Sequence, residues 1–207
     1  MEKLDLTKKY KSYYTAKTKP ELINVEVAQF LSILGKGDPS GAEFGVSISA
    51  LYTVAYVIKF ICKAEGNDFT VAKLEGLWWY DEEKYKDVTI SETPLQIPRS
   101  EWYYRLLIRL PEFVNAAHIA MGITTAIEKK QVAGAKDVEL HIMGAHKAVQ
   151  MMHIGPFDKE SETLLQINEF MQANNLPRNG LHHEIYLSDF RKTAPDKLKT
   201  ILREPTI

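Results

Sequence analysis

Apolar residues recur along the chain with two different periods. Over 42–64, Ile48, Leu51, Ala55, Ile58 and Cys62 follow three-to-four spacing, which predicts an amphipathic helix, with Tyr52 and Tyr56 one turn apart on a neighbouring stripe. Over 101–110, Trp102, Tyr104, Leu106, Ile108 and Leu110 share one face at a period of two, the mark of a half-buried strand. Strand composition also marks 25–35, 69–80, 149–155 and the segment LHHEIYL at 181–187. Pro111 opens a helix predicted over 112–131, with Glu112 in its first turn and Lys129 and Lys130 in its last, as the helix dipole favours. Asp158 is the expected cap of a third helix, with Glu160 and Glu162 in its first turn and Leu164, Ile167 and Met171 along it. KLKTILREP at 197–205 closes the pattern as a strand. The polar stretch 81–100 is too long for a hairpin turn and reads as a surface excursion or a lid.

The two halves carry these features in the same order. ILGKGDP corresponds to MHIGPFD, KLEGLWW to HHEIYLS and LLIRLP to TILREP, which sets Glu75 and Glu184 at equivalent places. One domain is therefore expected, with strand-helix-strand-strand repeats over about 24–111 and 145–207 joined by the 112–131 helix. Packing about an approximate two-fold axis would bring both carboxylates to one concavity between the repeats, a common place for a ligand. Alternatively each glutamate pairs with a same-face neighbour, Lys73 or His182.

Composition narrows the partners. With 26 Lys+Arg against 27 Asp+Glu, no overall field recruits nucleic acid or anionic lipid, and no helix-turn-helix or zinc pattern is present. The apolar run 46–64 is interrupted by Lys59 and Lys63 and carries several hydroxyls, so a core helix is expected rather than a membrane span. The polar N-terminal segment lacks the apolar stretch of a secretory signal, and the single cysteine, Cys62, suits a reducing compartment. The expectation is a cytoplasmic protein whose partner is a small molecule, with no nucleic-acid or membrane partner; nothing in the pattern sets the oligomeric state.

Residues two apart on a strand share a face, so His182, Glu184 and Tyr186 project together, as do Lys73, Glu75, Leu77 and Trp79. If Glu75 faces the pocket, parity brings Trp79 with it and sends Trp78 to the other side. Aromatic walls hold flat and cationic ligands with about 0.5–2 kcal/mol per contact. Two buried carboxyl groups add acid-base chemistry, because burial and like charge raise one pKa toward the working pH. His182, Glu184 and His153 have the composition of a metal-ligand set, without diagnostic spacing. His118, His141 and His146 have no companion pattern and are expected at the surface or in helices.

The segments DPSG, KLEGLWW, VQMMHIGPFDKE and the long run from His182 to Pro205 resemble the GyrI-like small-molecule-binding domain family, in a stand-alone duplicated form. The resemblance implies an α+β fold in which antiparallel sheets and two helices frame a central groove, with Glu184 at its floor. It implies planar, often cationic, aromatic ligands, no cofactor and no metal. Some stand-alone members hydrolyse cyclopropanoid DNA alkylators of the yatakemycin and duocarmycin type, a detoxification, whereas others only bind or sequester. The catalytic candidates are Glu184, Glu75 and Tyr186, and the ligand-binding candidates Tyr52, Tyr56, Trp79 and His182, to which the resemblance alone adds Trp102 and Tyr104. Tyr56, Tyr186 or a protonated Glu75 is the expected proton donor. The chain departs from the family pattern at Tyr104, where Trp-x-Trp is usual, at Ala145-His146, where Glu-Gly is common, and at Phe190, before Arg191.

Overall fold

The structure, a computed structural model, describes residues 3–86, 88–89 and 91–207, so positions 87 and 90 of the 81–100 excursion and the first two residues of the N-terminal segment lie outside the described residues. Among the described residues, ten strands and five α-helices follow one another in the order β1 (Leu4–Asp5), α1 (Leu6–Lys9), β2 (Glu21–Val25), β3 (Ala28–Lys36), α2 (Ala42–Ala64), β4 (Phe69–Thr70), β5 (Leu74–Trp79), α3 (Thr93–Gln96), β6 (Tyr103–Arg109), α4 (Ala116–Glu128), β7 (Val138–Met143), β8 (His146–Ile154), α5 (Glu160–Ala173), β9 (His182–Tyr186) and β10 (Lys199–Thr206).

Eight strands form one antiparallel sheet in the order β2-β8-β10-β9-β5-β6-β3-β7, and β1 pairs with β4 in a separate parallel ribbon. The sheet is mixed in sequence as well as long. β2 leads into β3 but pairs with β8, while β7 leads into β8 but pairs with β3. Each half therefore contributes its first strand to the far edge of the other, and β5 meets β9 at the centre.

Helices α2 and α5 cover one face of this sheet. Leu51, Val54, Ala55 and Ile58 of α2 bury against Leu31, Ile33, Leu106 and Ile108, the strand face expected from the period of two in β6. Leu164 and Ile167 of α5 bury against Val149, Met151 and Leu202. Burial of this kind stabilises by about 1.5–3 kcal/mol per large apolar side chain. The 23-residue α2 is apolar enough by composition to cross a membrane, yet one of its faces is used by this core.

Boundaries differ from expectation for local reasons. The 25–35 strand begins later, as β3 at Ala28, because the chain turns at 26–27 after β2, a strand that was not expected. The predicted 112–131 helix begins only at Ala116: Asn115 caps it, its side chain accepting from the His118 amide while the His118 ring accepts from the Asn115 amide. Asp158 does not cap α5 but sits in a short 3-10 turn, Phe157–Lys159, ahead of it.

The other face of the sheet is covered by the segment after α1, through Tyr13 and Tyr14, over Leu77, Leu107, Ile185 and Ile201. Within it lies a buried polar network. Glu75, fully buried, accepts from the Tyr13 hydroxyl at 2.6 Å and from the Tyr14 hydroxyl at 3.3 Å, and its other contact is His183 Nε2 at 2.8 Å. Burial holds the His183 imidazole below its ordinary pKa, and burial followed by the Glu75 charge raises the Tyr13 phenol. Arg203 donates to Gln150 and to the Tyr13 carbonyl, with its guanidinium 4.2 Å from the Tyr13 ring centroid. These bonds pin the N-terminal segment to β5, β9 and β10. Glu75→Ala strands two phenols and an imidazole together, so we expect a loss of about 3 kcal/mol in urea denaturation.

Candidate functional site

Between α2 and α5, above β5 and β9, lies a groove of about 1350 Å³. Its long wall is a second stripe of α2, Phe44, Ile48, Tyr52, Tyr56 and Phe60, at the four-residue spacing that puts side chains on one helix face. Tyr52 and Tyr56 stack with centroids 6.4 Å apart. Thr93, Pro94 and Leu95 of α3, with Arg99 and Trp102, supply the wall opposite, so the long excursion contributes directly to the groove.

The floor is set by strand register. Gly76 pairs with Glu184 and Trp78 with His182, which puts Trp78, His182, Glu184 and Tyr186 on the groove side. Trp78 Nε1 donates to the Tyr186 hydroxyl at 3.0 Å directly over Gly76. A Cβ at that glycine would stand 2.7 Å from Trp78 Nε1 and 3.0 Å from the Tyr186 oxygen. The bare backbone there lets the two rings meet.

His182 is held between two acids. Its Nδ1 bonds Glu204 and its Nε2 bonds Glu184 at 3.1 Å. Burial opposes the imidazolium, but the Glu204 charge and the hydrogen bonds to Glu184 and Glu204 outweigh it and push the His182 pKa up to about 10. Arg178 Nε lies 3.4 Å from the other Glu204 oxygen, extending the charge chain to the rim. Glu160, at the start of α5, also lines the groove; burial, then the Glu184 charge, raises its carboxyl well above the ordinary range. The same two causes keep the Tyr186 phenol protonated well beyond its usual pKa. The floor thus joins a histidine whose proton is held tightly, the Glu184 carboxyl group bonded to it, and an acid and a phenol that burial and the Glu184 charge both hold above their ordinary pKa ranges.

Of the residues expected at the site, Glu184, Tyr186, Tyr52, Tyr56, Trp79, Trp102 and His182 border the groove. Glu75 does not: it lies on the opposite face in the Tyr13 network. Its expected equivalence with Glu184 is offset by one residue, since Gly76 stands across from Glu184, and a one-residue offset exchanges sheet faces. For the same reason Trp78 takes the groove face, and Trp79 reaches the rim, stacked on Tyr103 at 5.7 Å. Tyr104 sits behind the wall, packed on Phe44 and Trp78 at 5.0 and 5.7 Å, with its ring over Gly35, where a Cβ would come within 2.2 Å. His153 is engaged by Thr163 and the Pro156 carbonyl, away from His182 and Glu184. His118 is buried in α4 and bonds Glu65 at 2.9 Å. Sequence reasoning missed Phe44, Phe60, Glu160, Arg178 and Glu204. Phe44 and Phe60 had a readable signal, since they continue the four-residue spacing of Tyr52 and Tyr56, whereas Glu204 is brought beneath His182 by the β9–β10 register, which no single strand reveals.

An apolar, aromatic groove with a few convergent polar groups defines a small-molecule-binding protein. The GyrI-like small-molecule-binding domain model matches residues 111–203. A conserved, uncharacterized protein from Listeria innocua shares 36% identity over 99% of this chain and 100% of its own, with a TM-score of 0.87. A hydrolase from Listeria innocua shares 36% over 99% and 100%, with a TM-score of 0.84. The EcmrR C-terminal domain, 11% identical over 91% of this chain and 97% of its own at a TM-score of 0.59, shares the fold. No curated protein matches the chain. The chain belongs to the GyrI-like small-molecule-binding family.

The raised His182 pKa has a thermodynamic consequence. The folded protein binds this proton more tightly than the unfolded chain, so the stabilisation is fully present below pH 6.5 and is lost as pH rises through about 10. His182→Gln is expected to destabilise most at the acid end of that window and least at its alkaline end, as followed by urea denaturation. A difference independent of pH would contradict the buried imidazolium.

Proposed function

We propose that this protein binds planar aromatic small molecules in the groove and hydrolyses cyclopropanoid genotoxins of the yatakemycin and duocarmycin type, in the cytoplasm. The observation that carries the reading is the Glu184 carboxylate fixed by His182 at the floor of an aromatic cleft. A carboxylate oriented in this way can hold and deprotonate a water molecule, while the aromatic stripe of α2 and Trp78 holds a flat ring system against it. The full-length similarity to a Listeria innocua hydrolase supports hydrolysis over binding alone.

The chemistry required is modest. Water adds to a strained cyclopropane conjugated to a dienone, the ring opens, and the electron pair flows to the carbonyl oxygen as the ring system becomes aromatic. Strain relief drives the step, and the protein supplies position and proton transfer. A second reading, sequestration without chemistry, is favoured by the aromatic mouth, where Tyr56 and Phe190 are half exposed and Phe60 more so.

Incubation with a dienone-cyclopropane followed by mass spectrometry separates the two. A ring-opened product carrying one added water is expected from the wild type, with Glu184→Gln slowing its formation by about 100-fold or more. Unchanged turnover in Glu184→Gln would remove Glu184 from the chemistry. Tight binding of the compound and of a cationic dye without product would establish the second reading.

A further inference from the structure

The groove has one acid whose surroundings the water-activating role of Glu184 does not explain. Glu160 is 7% exposed and lines the groove, and its Oε1 is buried without a donor or acceptor among the described residues. The other buried carboxyl groups of the two polar clusters have a partner or a cation at hand: Glu75 two tyrosines and a histidine, Glu184 His182, and Glu204 His182 on one oxygen with Arg178 Nε 3.4 Å from the other, which makes no hydrogen bond of its own. A buried carboxyl oxygen left without a partner costs about 1–3 kcal/mol, so its retention beside a ligand cavity calls for a ligand group to meet it.

We propose that Glu160 is the groove's proton donor, hydrogen-bonding the carbonyl oxygen of an aromatic ligand and passing its proton to that oxygen as the ring opens. This rests on the hydrolytic reading above and names its second participant. It also narrows the ligand class to planar aromatics that carry an acceptor carbonyl at one end.

The groups facing Glu160 decide its state. Glu184 and Tyr186 come from β9, together with the His182 cation, and Arg99 approaches from the turn ahead of β6. Burial and the Glu184 charge favour the neutral acid, and the cations His182 and Arg99 do not outweigh them. A neutral carboxyl group is a donor, and a carbonyl is its natural partner. The two carboxyl groups then divide the work: Glu184, tied to an imidazolium, serves as base, and Glu160, whose Oε1 has no partner among the described residues, serves as acid.

The step balances without a redox partner. The water oxygen bonds to the cyclopropane carbon, and the bond from that carbon to the dienone ring breaks. Its electron pair reaches the carbonyl oxygen, which takes the Glu160 proton and becomes a phenol. Glu184 accepts the proton lost by water, and exchange with solvent returns a proton to Glu160. The net change is the addition of one water.

The donor role can be tested without turnover. Affinities for 9-fluorenone and for fluorene, its counterpart without the carbonyl, are measured by quenching of tryptophan fluorescence, and the bound carbonyl stretch by infrared difference spectroscopy. The wild type is expected to lower the fluorenone carbonyl frequency. Glu160→Ala should restore that frequency and reduce the fluorenone-to-fluorene affinity ratio by about tenfold. Glu160→Gln, of equal size, should keep part of the ratio through its amide while slowing hydrolysis. An unshifted carbonyl in the wild type overturns the proposal, as does a ratio unchanged in Glu160→Ala. If the shift and its loss are seen but no hydrated product ever forms, the donor stands and the hydrolytic reading falls.

Discussion

The antiparallel pairing of β5 with β9 at the centre of the sheet is the constraint on which the site depends. It places Gly76 opposite Glu184 and Leu77 opposite His183, and strand alternation then decides the side taken by every polar group nearby. His182, Glu184 and Tyr186 go toward the helices, whereas Glu75 and His183 go toward the N-terminal segment. β10 continues the division, with Glu204 under His182 and Arg203 bonded to the carbonyl of Tyr13. Two polar clusters are thus built back to back through one thickness of sheet. One is closed over by tyrosines, and the other is open to a groove.

The energetics of the clusters differ accordingly. A buried charge is tolerable only when it is paired and hydrogen-bonded, and removing one partner costs more than the pair contributes. In the closed cluster Glu75 receives two hydroxyls and contacts a histidine, so its role is to fasten the N-terminal segment to the sheet. In the open cluster His182 is made a cation by Glu204 and Glu184, which in turn fixes the Glu184 carboxylate at the groove floor. The Oε1 of the remaining groove acid, Glu160, is buried with no hydrogen-bond partner among the described residues. On the proposed reading, that asymmetry sets a base and an acid of the same residue type in one groove.

Much of the architecture was legible from periodicity. The three-to-four spacing over 42–64 marked α2 to the residue, and the period of two in β6 marked the face buried beneath it. The short edge strands β2 and β7 were not, because their pairing partners lie more than 100 residues away and leave no local pattern. For the site, parity identified which residues share a face, and His182, Glu184 and Tyr186 indeed project together. It could not identify which face β5 turns to the groove, since that depends on a cross-strand register absent from any single strand. Glu75 and Trp78 were exchanged for this reason. Glu160 escaped notice because an acid in a first helical turn is ordinarily explained by the dipole, and only tertiary packing shows its burial.

The central claim is that ligand binding belongs to the helix-covered face, above Glu184, and not to the tyrosine-covered face that holds Glu75. A crystal structure with 9-fluorenone bound tests this most directly. The account predicts the ring plane lying along Tyr52 and Trp78 with its carbonyl toward the floor acids. A ring seated on the opposite face, or one whose carbonyl points out to the mouth, would contradict it.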